Sequence, residues 1–379
     1  MVYRVIGLMS GSSLDGLDIA FVQFQNTGGK WSYKILQSDC MAYPSHWVER
    51  LRWVAQSDAR QYQLLHTDYG HYLGVQVNQF INKYQLEYQV QLIASHGHTS
   101  FHMPELHMTA QLGDGAAIAA ETGLPVVSDF RLLDIALGGQ GAPIVPIGEK
   151  LLWSDYNYFL NLGGIANISF HRKSVGGNDG TGQNDGPIVA FDICPANRVM
   201  NLLASRVGKE YDESGTVACN GSVDEALLHK LNHLEYYELY FPKSLANEFG
   251  TEVVFPMMNG AGFKIEDALR TYVEHISIQV RKAIEKVREK IGMDSEPGKM
   301  LVTGGGAYNI FLVERLRNSL HDLNIELLVP GDELIQYKEA LVMALMGVLR
   351  WREENNVLSS VTGARRDSIG GAVWMGLEA

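Results

Sequence analysis

Three glycine-rich turns and a few carboxylates at strand ends carry the residue types that chemistry needs. Gly11-Ser-Ser-Leu-Asp-Gly16 lies between two β-rich runs and offers backbone amides, the hydroxyls of Ser12 and Ser13, and a carboxylate. Amides aimed into a concavity bind phosphate oxygens, and glycine allows close approach. Asp15 and Asp18 are hard oxygen donors suited to holding Mg²⁺ through water. An ordinary hairpin turn accounts for the segment equally well when it is taken alone. A second turn, Gly163-Gly164, stands at the matching place of a later strand-turn-strand and shifts the balance towards phosphate. The third cluster, Gly304-Gly-Gly-Ala-Tyr-Asn309, sits at a strand-to-helix junction. It matches a dinucleotide fingerprint only superficially, because Asn309 stands where the last glycine belongs. Flat backbone at a helix start lies well against an adenine or a phosphate, and close helix–strand packing explains it too.

Asp192 ends the apolar run Ile188-Val-Ala-Phe. At that position it suits a general base towards an attacking oxygen, or a turn or helix cap. His96-Gly-His98-Thr-Ser-Phe-His102 and His107 are dense enough in imidazole to suggest a metal. The Cys or carboxylate partners of a zinc site are missing, which favours polar-pocket roles. Thr99 and Asp129-Phe-Arg131 each follow a strand, where the crevices of α/β folds open. Arg131 suits a substrate carboxylate or a surface pair with Asp134, and Glu339 suits a second active carboxylate or the first turn of a helix. No Gly-x-x-x-x-Gly-Lys-Ser/Thr string occurs, which disfavours a P-loop NTPase.

The elements that must position these residues alternate between strand and helix. Short β-rich runs are predicted at Tyr3-Arg-Val-Ile, 19–24 and 31–36, then helical spacing over 45–86, then strands at Val90-Gln-Leu-Ile-Ala and Leu124-Pro-Val-Val. The order recurs, with strands at 158–162, 166–170 and 188–192, a helix over about 265–287, strands at 300–303 and 325–329, and a helix from about Tyr337. Strands alternating with helices make an α/β chain of two tandem lobes. The expected seam falls near Gly138-Gly-Gln-Gly-Ala-Pro143, which gives lobes 1–140 and 141–379, with the C-terminal tail able to pack back on the first lobe. Residues 176–187, rich in glycine and Asn-Asp, read as an extended hairpin loop.

Composition excludes several classes. The 379 residues include 31 Lys and Arg against 43 Asp and Glu, a net charge of −12. Without a basic cluster, a nucleic-acid or anionic-membrane binder is disfavoured. Three scattered cysteines form no disulfide framework. The start lacks the features of a signal peptide, and the longest apolar run is far shorter than the roughly 20 residues of a membrane span. A cytoplasmic protein is expected.

In order along the chain, Gly7-Leu-Met-Ser-Gly-Ser-Ser-Leu-Asp-Gly-Leu-Asp18, Ser95-His-Gly-His-Thr99, Val127-Ser-Asp-Phe-Arg131, Ala136-Leu-Gly-Gly-Gln-Gly-Ala-Pro143, Asn161-Leu-Gly-Gly-Ile-Ala-Asn-Ile168 and Thr303-Gly-Gly-Gly-Ala307 form a specific set. With them the sequence resembles the anhydro-N-acetylmuramic acid kinase family of the actin/sugar kinase/Hsp70-like ATPase superfamily. The resemblance implies two RNase H-like (actin-like ATPase) lobes around a central nucleotide cleft. It implies ATP and Mg²⁺, a 1,6-anhydro-N-acetylmuramic acid substrate whose anhydro bridge is opened by water during phosphorylation of O6, and a role in peptidoglycan recycling. By the same carry-over Asp192 is the base. Gly11, Ser12, Ser13, Leu14, Asp15, Gly16, Leu17, Asp18, Gly163, Gly164, Gly304, Gly305, Gly306 and Asn309 hold ATP. His98, Thr99, Asp129, Arg131 and Glu339 lie at the sugar, and the chain is a homodimer. Close alternatives are a kinase of the same fold on another sugar or sugar acid, and a nucleotide-binding regulator without turnover. Against the family pattern, Asp192-Ile-Cys-Pro-Ala-Asn197 lacks two glycines, Ser12 stands for Thr, His98 for Gln, and Ser244-Leu-Ala-Asn-Glu for Ser-Thr-Gly-Arg-Glu. Changes at positions that touch the sugar would alter substrate identity while sparing ATP.

Overall fold

The computed structural model describes residues 1–11, 14–172, 188–258, 264–292 and 297–376. Ser12 and Ser13 of the first glycine turn, and the loop expected at 176–187, lie outside the described residues. The chain forms two compact units: one takes Met1–Ser154 and the chain from Tyr337 onward, the other runs from Asp155 to Gln336.

The first unit contains β1 (Val2–Ser10), β2 (Gly16–Thr27), β3 (Lys30–Ala42), β4 (Leu92–Met103), β5 (Met108–Leu112) and β6 (Val126–Ser128). The second contains β7 (Tyr158–Leu162), β8 (Ile165–His171), β9 (Ile188–Pro195), β10 (Gly298–Thr303) and β11 (Ile325–Leu328). A last strand, β12 (Ala372–Trp374), returns to pair antiparallel with β6. The sheets run β12-β6-β4-β1-β2-β3, with β5 on β4, and β11-β10-β7-β8-β9. In both, the second strand is antiparallel to its neighbours and the rest of the core strands are parallel. This shared order is the RNase H-like arrangement, occurring once in each unit. In β1, Val5 to Leu8 are buried on both faces, as a central strand between helical layers demands.

Local signals set the helix bounds. The helical spacing over 45–86 resolves into Ser45–Arg52 and Ala59–Tyr84. The longer helix starts at a capping box, with Asp58 accepting from the Gln61 amide and the Gln61 side chain accepting from the Asp58 amide. In the second unit, helix Ile265–Ile291 lays one long apolar face, from Ala268 to Val287, into the core beneath the sheet.

The seam differs from the sequence expectation of 140. Segment 138–143 is built into the first unit by Asp134, which is fully buried and accepts from the Gly141 amide (2.7 Å) and the Thr362 hydroxyl (2.7 Å). The Gln140 amide donates to the Thr362 carbonyl (2.8 Å), and Gly139 and Gly141, which read as part of a hinge, pack closely on Asp134 and Ile135. Helix Pro146–Leu152 also belongs to this unit, fixed by the buried pair of Glu149 with Lys338 (2.9 Å) on helix Asp332–Trp351.

Removing one partner of a buried pair strands the other charge, at a cost of about 3–5 kcal/mol. Lys338→Met is therefore expected to lower unfolding free energy by that order in urea denaturation, and Lys338→Met/Glu149→Leu to recover most of it. Equal stability of single variant and parent would remove this pair as the tie between the two helices.

Candidate active site

In the first unit, the β1–β2 turn presents its carboxylates beside the C-terminal helix. Gly16 presses on β3: a Cβ there would stand 2.6 Å from Cys40 Sγ and 2.9 Å from the Met41 carbonyl. Leu17 is buried in the core, and Leu14 takes a left-handed backbone, φ 60°. Asp18 lies between Met9 of β1 and Cys40 of β3. Burial raises its carboxyl to about 6; a hydrogen bond with Cys40 opposes this, and the charges of Asp15 and Glu339 add to it. Asp18 is thus a buried carboxylate repelled by both Asp15 and Glu339, a repulsion that a cation beside it relieves. Among the described residues, no three His, Cys, Asp or Glu side chains come together as a group that could hold a metal ion.

Beside them, the imidazoles serve hydrogen bonding. The Tyr43 hydroxyl donates to Ser10 Oγ (2.9 Å), while Tyr43 and Tyr69 hydroxyls lie 2.6 Å apart. Ser10 then has its own proton for His98 Nδ1 (3.2 Å), leaving the other ring nitrogen of His98 as the donor. Burial pushes His98 down to about 4, so the ring is neutral at pH 7. His96 is fixed in the same manner. Arg131 Nε donates to His96 Nε2 (3.0 Å), and His96 Nδ1 therefore donates to the Gly97 carbonyl (2.8 Å). Burial and the Arg131 charge hold His96 near 3.

Arg131 also donates to the Gly141 carbonyl (2.5 Å). Burial lowers it to about 10, against the opposing charges of Glu339 and Asp134. It is no surface partner of Asp134, whose oxygens are occupied as described above. Asp129 follows β6 with φ 63° and accepts from Ser128 Oγ (2.6 Å). Thr99 is exposed on β4. The structure thus groups Asp15, Asp18, Glu339, Arg131 and the two imidazoles electrostatically, with Thr99 facing solvent.

The second unit carries its own polar row. Thr303, Asn161, Asn167 and Asp192 are successive cross-strand partners on β10, β7, β8 and β9, and so share one face of the sheet. Sequence reading singled out only Asp192; Asn161, Asn167 and Thr303 were hidden inside apolar strands, and a polar residue in mid-strand was the available signal. Thr303 Oγ1 is buried and has no hydrogen-bond partner among the described residues. Asp192 Oδ2 accepts from the Leu245 amide (2.9 Å), its own amide donates to the Lys243 carbonyl (3.3 Å), and its carbonyl accepts from Tyr236 (2.6 Å). Burial raises its carboxyl above the usual range, partly offset by the Leu245 amide. The helix start beyond it is Ala196, so Asp192 is no helix cap.

The glycine turns flank this row. The carbonyls of Gly163 and Gly164 accept from the amides of Asn197 (3.0 Å) and Ala196 (2.8 Å). A Cβ on either would meet no atom nearer than 3.4 Å, so packing does not require glycine at these two positions. Gly304 differs: with φ 80°, a side chain there would run into the Asn161 carboxamide. At Gly306 a Cβ would stand 2.7 Å from Leu162 Cβ. Gly305 is open apart from the Asn197 side-chain nitrogen, Nδ2, at 3.5 Å. Asn309 caps helix Ile310–Leu320, accepting from the Leu312 amide (3.0 Å), so its oxygen is already engaged.

A family model described as anhydro-N-acetylmuramic acid kinase matches residues 3–376. The chain belongs to this family. Curated relatives carrying the same description include one from Shewanella sediminis, 33% identical and covering 97% of this chain and 98% of its own length. Another from Haemophilus influenzae is 31% identical over 97% of both chains, and one from Bacillus thuringiensis is 30% identical over 97% and 98%. Among solved structures, the activator of 2-hydroxyisocaproyl-CoA dehydratase from Clostridium difficile with bound ADPNP aligns over 92% of this chain and 96% of its own, at 15% identity and a TM-score of 0.44. No helix among the described residues is long and apolar enough to cross a membrane.

The departures from the family pattern fall at identifiable places. Cys194 and Ala196, which stand for glycines, are fully buried in the core of the second unit, and burial pushes the Cys194 thiol up. Leu245 reaches Asp192 through its backbone amide, a contact indifferent to side-chain identity.

Asp18 supplies a test of this electrostatic picture. Its folded value of about 6 exceeds the usual 3.8, so the folded state binds more protons and loses stability as pH rises between those values. Asp18→Asn is expected to be more stable than the parent at pH 8, by about 1–3 kcal/mol, with the difference vanishing below pH 4. Thermal unfolding at both pH values reads this, and a gain that is independent of pH would contradict the assignment.

Proposed function

We propose that this protein is an ATP- and Mg²⁺-dependent kinase that opens 1,6-anhydro-N-acetylmuramic acid with water and phosphorylates O6, giving N-acetylmuramic acid 6-phosphate in peptidoglycan recycling. The observation that carries the reading is Asp192: a buried carboxylate oriented by a backbone amide, in a polar row flanked by glycine turns, in a chain matching the family over nearly its whole length.

In this reading Asp192 accepts a proton from the water that attacks the anomeric carbon. The bridging C1–O bond breaks, the anomeric carbon takes the hydroxyl, and the released O6 attacks the γ-phosphorus as ADP leaves. Leu245 holds one carboxylate oxygen, which leaves the other for the water. Residues 11–18, Gly163, Gly164, Gly304, Gly305 and Gly306 hold ATP, chiefly by backbone amides. Asn309 contributes through the helix start that it caps. Asp15 and Asp18 would hold Mg²⁺ through water, and the ion would supply charge neutralisation to the phosphates. Arg131, fixed by His96, binds the lactyl carboxylate of the sugar, while His98 donates to a sugar oxygen. Thr99, Asp129 and Glu339 complete the sugar contacts. We propose further that the protein is a cytoplasmic homodimer, which sedimentation would check by a mass of twice 42.1 kDa.

ADP release by the purified protein should require the anhydro sugar. Asp192→Asn should reduce kcat by at least about a thousandfold while ATP affinity stays within a factor of about two. Release that is indifferent to the sugar would defeat the substrate assignment, and full sugar-dependent turnover in Asp192→Asn would defeat the base assignment.

The raised carboxyl of Asp192 also sets a pH dependence. Only the ionised form accepts the proton, so the acid limb of kcat/KM should lie above the ordinary carboxylate value of 3.8. Residual turnover in Asp192→Asn should lack that limb. A limb at or below 3.8 would contradict burial as the controlling influence.

A further inference from the structure

Arg198 directly follows the segment Asp192-Ile-Cys-Pro-Ala-Asn197, in which the family pattern loses two glycines. It stands in the first turn of helix Asn197–Ala204, whose Val199, Met200 and Leu203 are buried in the core of the second unit. Its Nε is buried, and no hydrogen bond or ion pair among the described residues engages its guanidinium. Two other arginines of this unit, Arg270 and Arg315, also have a buried Nε without a hydrogen bond, but both lie against the Glu274 carboxylate (3.1 and 2.6 Å). Arg198 has no such acid. Asp192 is not its partner, since one carboxylate oxygen is taken by the Leu245 amide and burial, not a neighbouring cation, sets the carboxyl. A charged nitrogen taken out of water without a partner costs stability, so its place calls for a ligand.

The guanidinium lies over the Gly163–Gly164 turn. The three atoms nearest to a Cβ built on Gly164 are all from Arg198: Nε at 3.8 Å, Cβ at 3.9 Å and Nη2 at 4.0 Å. The helix start itself has little left for an anion. Its amides at Ala196, Asn197 and Arg198 donate to the carbonyls of Gly164 (2.8 Å), Gly163 (3.0 Å) and Gly164 (3.4 Å). The free cation here is therefore a side chain. Asn197, the preceding residue, reaches the other glycine cluster. Its Nδ2 donates to the Leu162 carbonyl (2.8 Å), and its Oδ1 stands 2.9 Å from a Cβ position on Gly306. Residues 197 and 198 thus connect the turn at 163–164 with the cluster at 304–306.

We propose that Arg198 binds the polyphosphate of the nucleotide, its guanidinium forking onto phosphate oxygens above the Gly163–Gly164 turn. This rests on the reading that the turn faces ATP, and it adds a fixed positive charge to the backbone amides of that reading. Phosphate supplies both features that Arg198 lacks in the free protein: paired oxygens that match a planar fork, and negative charge. A nucleoside without phosphate supplies neither.

Calorimetric titration of the full-length protein with ADPNP, ADP and adenosine, in Mg²⁺ and without sugar, tests the assignment. Arg198→Met is expected to weaken ADPNP and ADP at least about tenfold while adenosine changes by less than a factor of about two. Arg198→Lys keeps the charge but not the fork, and should fall between variant and parent. Because the free protein loses no partner, Arg198→Met should unfold no earlier than the parent when no ligand is present. It should also forfeit most of the rise in unfolding temperature that ADPNP gives the parent. Unchanged ADPNP affinity overturns the assignment. A loss shared equally by adenosine, or a lower unfolding temperature without ligand, overturns it too, since either makes Arg198 a prop of the turn. The two readings fail separately: sugar-dependent ADP release with unchanged ADPNP affinity in Arg198→Met removes only this assignment, and weakened ADPNP binding in a protein without sugar-dependent release removes only the proposed reaction. A parent that binds no ADPNP removes both.

Discussion

The first unit depends on how closely its C-terminal helix approaches the middle of its sheet. Gly7 of β1 lies so near helix Asp332–Trp351 that a Cβ would collide with the Ala340 carbonyl and stand 2.9 Å from the Ala344 amide. Gly347 makes the reciprocal approach, 2.6 Å from a Cβ position to the Ala94 methyl of β4. Two glycines, one on each surface, let the backbones meet without side chains between them. That contact fixes the rotation of the helix about its own axis. Lys338 is thereby aimed at Glu149 and Glu339 at Asp18 and Arg131, so the electrostatics of the carboxylate group follow from steric fit at positions 7 and 347.

The second unit solves a different problem. Asp192 sits on β9, an edge strand, where a carboxylate would ordinarily be well solvated. Segment 236–245 covers that edge, accepting from and donating to the strand and contributing the Leu245 amide. The carboxylate is buried enough to be raised yet retains one strong donor, a balance suited to a base. The short helix Glu235–Glu238 ends in carbonyls that need partners, and lysines supply them.

Much of this was legible in the residues, and what was not has physical reasons. The twofold strand-turn-strand order was readable because buried central strands leave long apolar runs, as at 158–162 and 300–303. The position of Asp192 at a strand end was readable because it closes such a run. β5 and β12 went unseen because Met108–Leu112 mixes polar with apolar residues and Ala372–Trp374 is three residues long, so both exist through pairing with a neighbour. The seam at 138–143 was misplaced because glycine marks close packing as readily as flexibility, and only Asp134 and Thr362, 228 residues apart, distinguish the two. The partners of Asp192 could not be found from local pattern, since Asn161, Asn167 and Thr303 align with it only through strand register.

The return of the chain from Tyr337 to the first unit has a consequence for biosynthesis. Domains usually fold in the order in which they leave the ribosome. Here the sheet made first waits for a helix made late, because Gly7, Ala94 and Glu149 have their packing partners beyond residue 337. The second unit, contiguous in sequence, has its whole core in hand earlier. The nascent protein therefore completes its later half before its earlier one, and a message truncated near its 3′ end yields a chain with one finished half and one exposed apolar sheet.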